Sequence, residues 1–341
     1  MIRVTIRDIA TLAGVSPSTV SRALNDHPAI SEKTRRVVQQ ACQSLQYVPD
    51  MTAKGLAGHM TNTIGVIVPD ISNPYFSAQC AAISRSAAAE GYRVLLTNTL
   101  YDSLRETEAV DSMLSQHVDG MIISPSSPQS QEVLSTLLDK VPCIYLGNNH
   151  GSACSYVEAD GERGAYEATQ YLYHLGHRKI IFIGGRTNSN TLERRLNGYR
   201  RSMLLNGLAP LEILTSEAES TTEDRYYQCV LKLLKDNYQP DAFLAYSDIV
   251  AMQVLGAAKD CGLSVPENLS VIGFDNTSVA RLAQINLTSV SLRKSRVGEL
   301  AVKRLLEKIN GDNNLSADIL QPELIIGSTC HRIRPERTNI R

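Results

Sequence analysis

The 341-residue chain has no excess of charge of either sign: 34 Lys and Arg stand against 35 Asp and Glu, a net charge of −1. That balance excludes a globally basic protein that gathers nucleic acid through its overall field. Its seven cysteines include no C-x-x-C pair and have no histidine nearby at ligand spacing, which speaks against a disulfide framework or zinc site and for free thiols in a reducing compartment. No apolar run approaches the ~18 residues of a membrane span, and the first residues carry no apolar signal core. A cytoplasmic location with no membrane partner is therefore expected, which argues against a secreted binding protein. Catalytic signatures are also missing: there is no G-x-S-x-G, Walker loop or H-E-x-x-H, and no G-x-G-x-x-G after a strand. Gly184-Gly185 reads as a tight turn rather than a phosphate cradle. No enzyme activity, metal or cofactor is expected, and no repeats or low-complexity segments are evident.

What is present points to two or three domains. Hydrophobic residues make up 43% of the chain, ordinary for a protein that buries a core. Charge is distributed unevenly. Residues 1–60 hold seven Lys/Arg (Arg3, Arg7, Arg22, Lys33, Arg35, Arg36, Lys54) and four acids (Asp8, Asp26, Glu32, Asp50), hence +3, which leaves −4 on the remainder. A modestly basic end on a slightly acidic body suits local phosphate binding.

The basic end has a helical signature. Thr5 is a good N-cap, and Asp8 stands three residues on, where a carboxylate reaches back to the cap. Ile6, Ile9, Ala10 and Ala13 fall on one helical face. Gly14 permits a sharp turn, Ser16 caps the next helix, and Pro17 takes its first position, where a missing N–H does no harm. Val20, Ala23 and Leu24 point that second helix inward and leave Ser18, Thr19, Ser21, Arg22 and Asn25 outward or flanking. A third helix is expected from Ser31, with Val37, Val38, Ala41 and Leu45 inward. A short helix, a glycine turn and a second helix with small polar residues at its start form the helix-turn-helix layout. Pro49 ends this head. Residues 50–58 are too short for a stable isolated helix, since those below ~12 residues are marginal in water.

From Thr63 onward, apolar runs alternate with amphipathic stretches. Ile64–Val68, Arg93–Leu96, Gly120–Ser124, Cys143–Leu146, Lys179–Gly184, Ala242–Tyr246 and Leu269–Gly273 are strand candidates, with helix-length segments such as Phe76–Glu90 and Asp248–Cys261 between them. Alternating βα units predict parallel sheets covered on both faces, with ligands bound at the carboxyl ends of the strands. Polar residues stand just there. Asn73 to Phe76 follow the first strand, Ser124 the third, Ser247-Asp248 the run ending at Tyr246, and Asp275 the run ending at Phe274. Arg195 lies early in the helix near Thr191. A carboxylate, a forked arginine and a flat ring suit a polyhydroxylated ligand. Asp275 also reads as a loop cap, and Asp248, which opens a helix, reads equally as a helix cap. The Arg194-Arg195 and Arg200-Arg201 pairs read as solvated faces, with only Arg195 directed inward.

The segment from Thr5 to Asn25 resembles the head of the lactose-repressor (LacI/GalR) family of bacterial transcription regulators. The similarity continues through Tyr47-Val48-Pro49, Ala53-Lys54-Gly55-Leu56-Ala57, Ile64 to Phe76, Val118-Asp119-Gly120, Leu175-Gly176-His177-Arg178-Lys179-Ile180 and Val271 to Asn276, in order and over nearly the whole chain. The fold implied is an α-helical helix-turn-helix head plus an α/β core of two doubly wound parallel-sheet subdomains of periplasmic-binding-protein type I. Its parts would be a head over 1–46, a hinge over 47–60, a ligand-binding and dimerisation core over 61–330 and a tail over 331–341. Within the core, the N-subdomain would span about 61–160 plus 291–321 and the C-subdomain about 161–290 plus 322–330, with crossings near 158–162, 287–292 and 320–323.

The resemblance also implies roles. The hinge would fold only on specific DNA, paired with its twin, with Leu56 as a wedge in the minor groove and Lys54 and Ala57 beside it. Pro17 and Ser18 stand at base-reading positions with short side chains, so direct readout leans on Arg22, a bidentate partner for guanine. Thr5, Ser16, Thr19, Ser21 and Asn25 read as phosphate contacts that fix register. Arg195 and Asp275 match the effector-clamping residues, and Tyr75, Phe76, Ser124, Thr191, Ser247 and Asp248 match neighbouring positions. A homodimer on palindromic operator DNA is expected, because two heads multiply selectivity. After Cys330 the tail has no leucine heptad, so a tetramer-forming helix is not.

Departures from the family pattern bear on the effector. Gly147 stands where many sugar-binding members carry Asp, Ser247 where Asn is frequent, and Leu292-Arg293 where Gln-Pro is common. Asp50 replaces the usual Asn before the hinge. Fewer acceptors and an added cation, if Arg293 faces the cleft, favour an acidic or phosphorylated effector. The leading expectation is a repressor of carbohydrate-utilisation genes responding to a sugar or sugar phosphate. A regulator responding to a nucleoside or purine, or a ligand receptor that does not bind DNA, are the alternatives.

Overall fold

The computed structural model describes residues 4–24, 27–47, 60–125, 141–147, 154–186, 189–215, 224–236, 238–312 and 314–333. They form two compact units, one up to Thr61 and one from Asn62 onward.

The first unit holds α1 (Ile6–Ala13), α2 (Pro17–Leu24) and α3 (Glu32–Ser44). The Thr5 N–H and hydroxyl both donate to the Asp8 carboxylate, at 2.8 and 2.7 Å, which closes the first turn of α1. Gly14 adopts φ 67° and ends that helix. Ser16 Oγ accepts from Thr19 N at 3.1 Å and Ser31 Oγ from Thr34 N at 3.2 Å, starting the next two helices. Ile9, Ala10, Val20, Ala23, Val38 and Ala41 form the core. Val37, expected inward, is exposed; the inward stripe of α3 runs instead through Val38, Ala41 and the half-buried Cys42 and Leu45.

The second unit contains two six-stranded sheets. Its elements are β1 (Thr63–Val68), α4 (Pro74–Ala89), β2 (Arg93–Asn98), α5 (Ser103–Ser115), β3 (Gly120–Ile123), β4 (Cys143–Leu146), β5 (Tyr156–Ala159), α6 (Gly161–His174), β6 (Ile180–Arg186), α7 (Asn190–Leu205), β7 (Leu211–Thr215), α8 (Arg225–Lys235), β8 (Ala242–Ala245), α9 (Asp248–Asp260), β9 (Ser270–Phe274), β10 (Thr288–Ser291), α10 (Lys294–Ile309), β11 (Ala317–Leu320) and β12 (Glu323–Ile325). The first sheet runs β11-β5-β4-β3-β1-β2, and its pairs are parallel. The second runs β12-β10-β9-β8-β6-β7, parallel except for β12 against β10. Buried runs such as Thr63–Val68 and Ser270–Phe274 are what a doubly covered parallel strand requires.

The chain passes between the subdomains three times, at residue 160, at 292–293 and at 321–322. The middle passage falls at the end of the range expected from sequence, because Thr288–Ser291 is a strand of the second sheet, paired with β9. Helix α10 then returns to the first subdomain, where Val297, Ala301, Val302 and Leu305 join a core with Ile64, Val66, Ile122 and Ile144. Helices α6 and α7 pack so closely that a Cβ on Gly198 would lie 2.0 Å from the Glu162 carbonyl oxygen.

Candidate functional site

In the head, the amino end of α2 is a cluster of hydroxyls. Ser16 Oγ lies 2.8 Å from both Ser18 Oγ and Thr19 Oγ1. Ser16, Pro17 and Ser18 are exposed, Thr19 and Ser21 half-buried, and Arg22 exposed in the last turn. Exposed hydroxyls at the positive end of a helix dipole favour an anion. Val20 and Ala23 are buried on the opposite face, so the polar face is the one left for a partner. Asn25, Lys54, Leu56 and Ala57 lie outside the described residues.

In the core, the carboxyl ends of β8 and β9 and the start of α7 meet around one guanidinium. Arg195 is buried, and its Nη2 donates to Asp275 Oδ1 at 3.2 Å while its Nη1 donates to the Tyr246 carbonyl. The Phe274 and Tyr246 rings cover the cation, with centroids 4.1 and 4.6 Å away, a stacking that arginine's planar head permits. Asp275 is held at φ 98°, an uncommon conformation for a residue with a side chain. Burial pushes its carboxyl above the usual range, against the pull of Arg195 and Lys294.

Asp248 braces this turn. Its carboxylate accepts from Thr277 N and from Ser289 Oγ, each at 2.6 Å. Burial and the neighbouring Asp275 raise its pKa to about 6. Ser247 caps α9, its Oγ accepting from Val250 N at 3.3 Å. From the first subdomain, Lys294 Nζ reaches across to the carbonyl oxygens of Asp275 and Asn276 at 2.9 and 2.6 Å. Burial lowers the Lys294 pKa, while Asp275 and Asp248 oppose that shift. Tyr75, in the first turn of α4, packs against the core of the second subdomain. Desolvation, and then Asp275, raise its phenol pKa, while Arg195 and the Gln79 side chain oppose that shift.

The comparisons with known proteins agree with this architecture. A family model for bacterial regulatory proteins of the lacI family matches residues 5–50, and one for a periplasmic binding protein-like domain matches residues 169–330. The chain is 33% identical over 325 residues to catabolite control protein A of Priestia megaterium, covering 93% of this chain and 96% of that one. The chain belongs to the LacI family of bacterial regulators. It is also 31% identical over 329 residues to the transcriptional repressor PurR of Pasteurella multocida, covering 94% and 97% of the two chains. Among solved structures it resembles the lac repressor dimer bound to operator and the anti-inducer ONPF, with a TM-score of 0.86, 27% identity, and 97% and 100% of the two chains covered. This LacI-family chain thus combines a helical DNA-binding head with an effector-binding core of two parallel-sheet subdomains, and those relatives are regulators of transcription rather than enzymes.

Of the residues singled out from sequence, Tyr75, Arg195, Asp248 and Asp275 come together in this LacI-family core. Phe76 meets the Tyr75 ring edge-on at 5.2 Å but packs into the first subdomain. Ser124 is half-buried at the end of β3, its N–H bonded to the Ile67 carbonyl. Thr191 is exposed one turn before Arg195. Arg194 is not a solvated face residue. Its Nη1 bonds both oxygens of the buried Glu158, at 2.7 and 2.6 Å, because the end of β5 lies under α7. Arg293 is half-exposed and pairs with Glu323 at 3.3 Å; the cation directed at Asp275 is its neighbour Lys294. Tyr246, Phe274 and Gln79 were missed as well. The signal for Tyr246 and Phe274 was their place as the last ring of a strand run.

Among the described residues no cluster of three or more His, Cys, Asp or Glu is placed to hold a metal ion, and no helix is long and apolar enough to cross a membrane.

Proposed function

We propose that this LacI-family regulator is a repressor that binds palindromic operator DNA as a homodimer and releases or gains it when a neutral sugar enters the core cleft. The observation that carries the effector reading is the Arg195–Asp275 pair under two aromatic faces, with Tyr75 opposite on the other subdomain. Each cation nearby already has a partner: Arg195 has Asp275, Arg194 has Glu158, Arg293 has Glu323, and Lys294 has two carbonyls beside two carboxylates. Each of these charges is thus already offset by an acid or by carbonyl oxygens, which favours a neutral polyol over a sugar phosphate. A nucleoside or purine is the second reading, supported by the Tyr75 ring and by the likeness to PurR.

Two groups of exposed apolar side chains support the dimer. Leu96, Leu100 and Leu104 lie along the edge strand β2 and into α5, and Ile249, Val279 and Leu282 lie on the second subdomain. Apolar clusters on a soluble surface mark association sites. We assign residues 1–46 to the DNA-binding head, 47–60 to the hinge with Lys54, Leu56 and Ala57 at the minor groove, 61–330 to the core and the remainder to a tail. In the head, Arg22 reads bases with Ser18 in support and Pro17 beside it at a base-facing position, while Thr5, Ser16, Thr19, Ser21 and Asn25 set register on the backbone. Carbohydrate-utilisation genes are the targets this effector class implies, and the cytoplasm is where such a regulator works.

Selection of duplexes from a randomised pool, followed by anisotropy titration, tests the reading. The expected result is an enriched palindrome bound with strong salt dependence and with affinity altered about 5- to 150-fold by one neutral sugar. Enrichment of no palindrome would remove the repressor reading. A response confined to phosphorylated or nucleobase compounds would remove the neutral-sugar reading.

A further inference from the structure

Gln79 is a buried amide with one end unused. It lies one helical turn after Tyr75 on α4 and therefore on the same face, and it is 1% exposed. Its side chain opposes the upward pKa shift of the Tyr75 hydroxyl, and its Oε1 has no hydrogen-bond partner among the described residues. An unpaired buried acceptor opposes folding, and such groups in native proteins ask for an explanation. Across the cleft, Arg195 Nε is also buried and without a partner. The Tyr75 hydroxyl is influenced by Gln79 from its own helix and by Arg195 and Asp275 from the second subdomain.

The unmet capacity is thus one acceptor on the first subdomain and one donor on the second. A single chemical group that both donates and accepts is a hydroxyl. A fully ionised phosphate group only accepts, so it cannot itself serve Gln79 Oε1, and it faces the Asp275 carboxylate as well. We propose that Gln79 determines effector specificity by accepting a hydrogen bond from a hydroxyl of a neutral polyol that spans the cleft. The inference rests on the effector reading above and adds a residue on the first-subdomain side of the cleft.

The test uses the full-length chain and two variants, Gln79→Met, which removes the amide, and Gln79→Glu, which keeps the acceptor. Thermal unfolding is followed alone and with D-ribose, D-glucose and cellobiose, and with ribose 5-phosphate and glucose 6-phosphate. Without ligand, Gln79→Met is expected to unfold at or above the wild-type midpoint, since a group that opposes folding is gone. A sugar that raises the wild-type midpoint is expected to bind Gln79→Met at least tenfold more weakly, with the response retained by Gln79→Glu. A fall of several degrees in unliganded Gln79→Met would show a structural strut and overturn the proposal. Unchanged sugar affinity in Gln79→Met, or a phosphorylated sugar binding the wild type more tightly than its neutral parent, would also overturn it. If none of these sugars shifts the wild type while Gln79→Met is stabilised, the effector reading fails and the frustrated site stands.

Discussion

Replacing Arg194 by alanine strips the buried Glu158 carboxylate of its principal partner. Both Glu158 oxygens lie within 2.7 Å of Arg194 Nη1, and the side chains are 6% and 27% exposed respectively. Removing one member of a fully buried pair costs about 3–5 kcal/mol. Water reaches the Arg194 side, so about 2–3 kcal/mol is expected here. For a unit of this size that is a drop of roughly 4–10 °C in unfolding midpoint. The assay is thermal and denaturant unfolding of the wild type, Arg194→Ala, Glu158→Gln and the double variant. Glu158→Gln removes the charge that burial penalises and is expected to cost less than Arg194→Ala. The double variant should recover part of the Arg194→Ala loss, giving a coupling of about 1–2 kcal/mol. An Arg194→Ala protein within about 0.5 kcal/mol of wild type, or strict additivity, would refute the claim that this pair ties the end of β5 to α7.

Three further outcomes are expected. Arg22→Ala should cost about 1–3 kcal/mol in operator binding and relax preference at one base pair per half-site; anisotropy on single-base operator variants measures this, and uniform loss on all sequences would reassign Arg22 to the backbone. Asp248, raised from 3.8 to about 6 in the fold, contributes stability that is fully present below the unfolded value and lost as pH rises through about 6. Asp248→Asn should therefore flatten the profile of unfolding midpoint between about pH 4 and 7, and an unaltered profile would remove this titration. Gly198→Ala places a methyl 2.0 Å from the Glu162 carbonyl and should destabilise by more than about 3 kcal/mol; near-normal thermal unfolding would show that α6 and α7 can separate.

Much of the architecture was legible because the central strands are continuous apolar runs. Those built from Ile64–Val68, Gly120–Ile123 and Val271–Phe274 are buried along their length. The strands not anticipated were β5 (Tyr-Val-Glu-Ala), β7, β10 (Thr-Ser-Val-Ser), β11 (Ala-Asp-Ile-Leu) and β12. Several are short and carry polar residues whose partners lie on other elements, such as Asp318 with Arg304 and Ser289 with Asp248. Arg195 and Asp275 stood out because each is an ionisable residue at an element end. Lys294 and Gln79 did not: Lys294 gains its meaning only where a helix of one subdomain meets a loop of the other, and Gln79 sits in an alanine-rich helix with nothing in the sequence to mark it. The side-chain exposure of Arg194 was misjudged for the same reason: Glu158 lies 36 residues away along the chain.

The three passages between subdomains also set an order of assembly. The first sheet places β1 to β5 early, but its outer strand β11 and the covering helix α10 come only after residue 293. As the chain leaves the ribosome, Ile64, Val66, Ile122 and Ile144 have Ile83 and Ala87 of α4 beside them but gain their full cover only with Val297, Ala301, Val302 and Leu305. The second sheet, whose β6 to β10 lie between those halves, is nearly complete by then. Both layers are therefore finished only by the last stretch of chain, β11 closing the first sheet and β12 the second, so a truncation before residue 317 leaves neither complete.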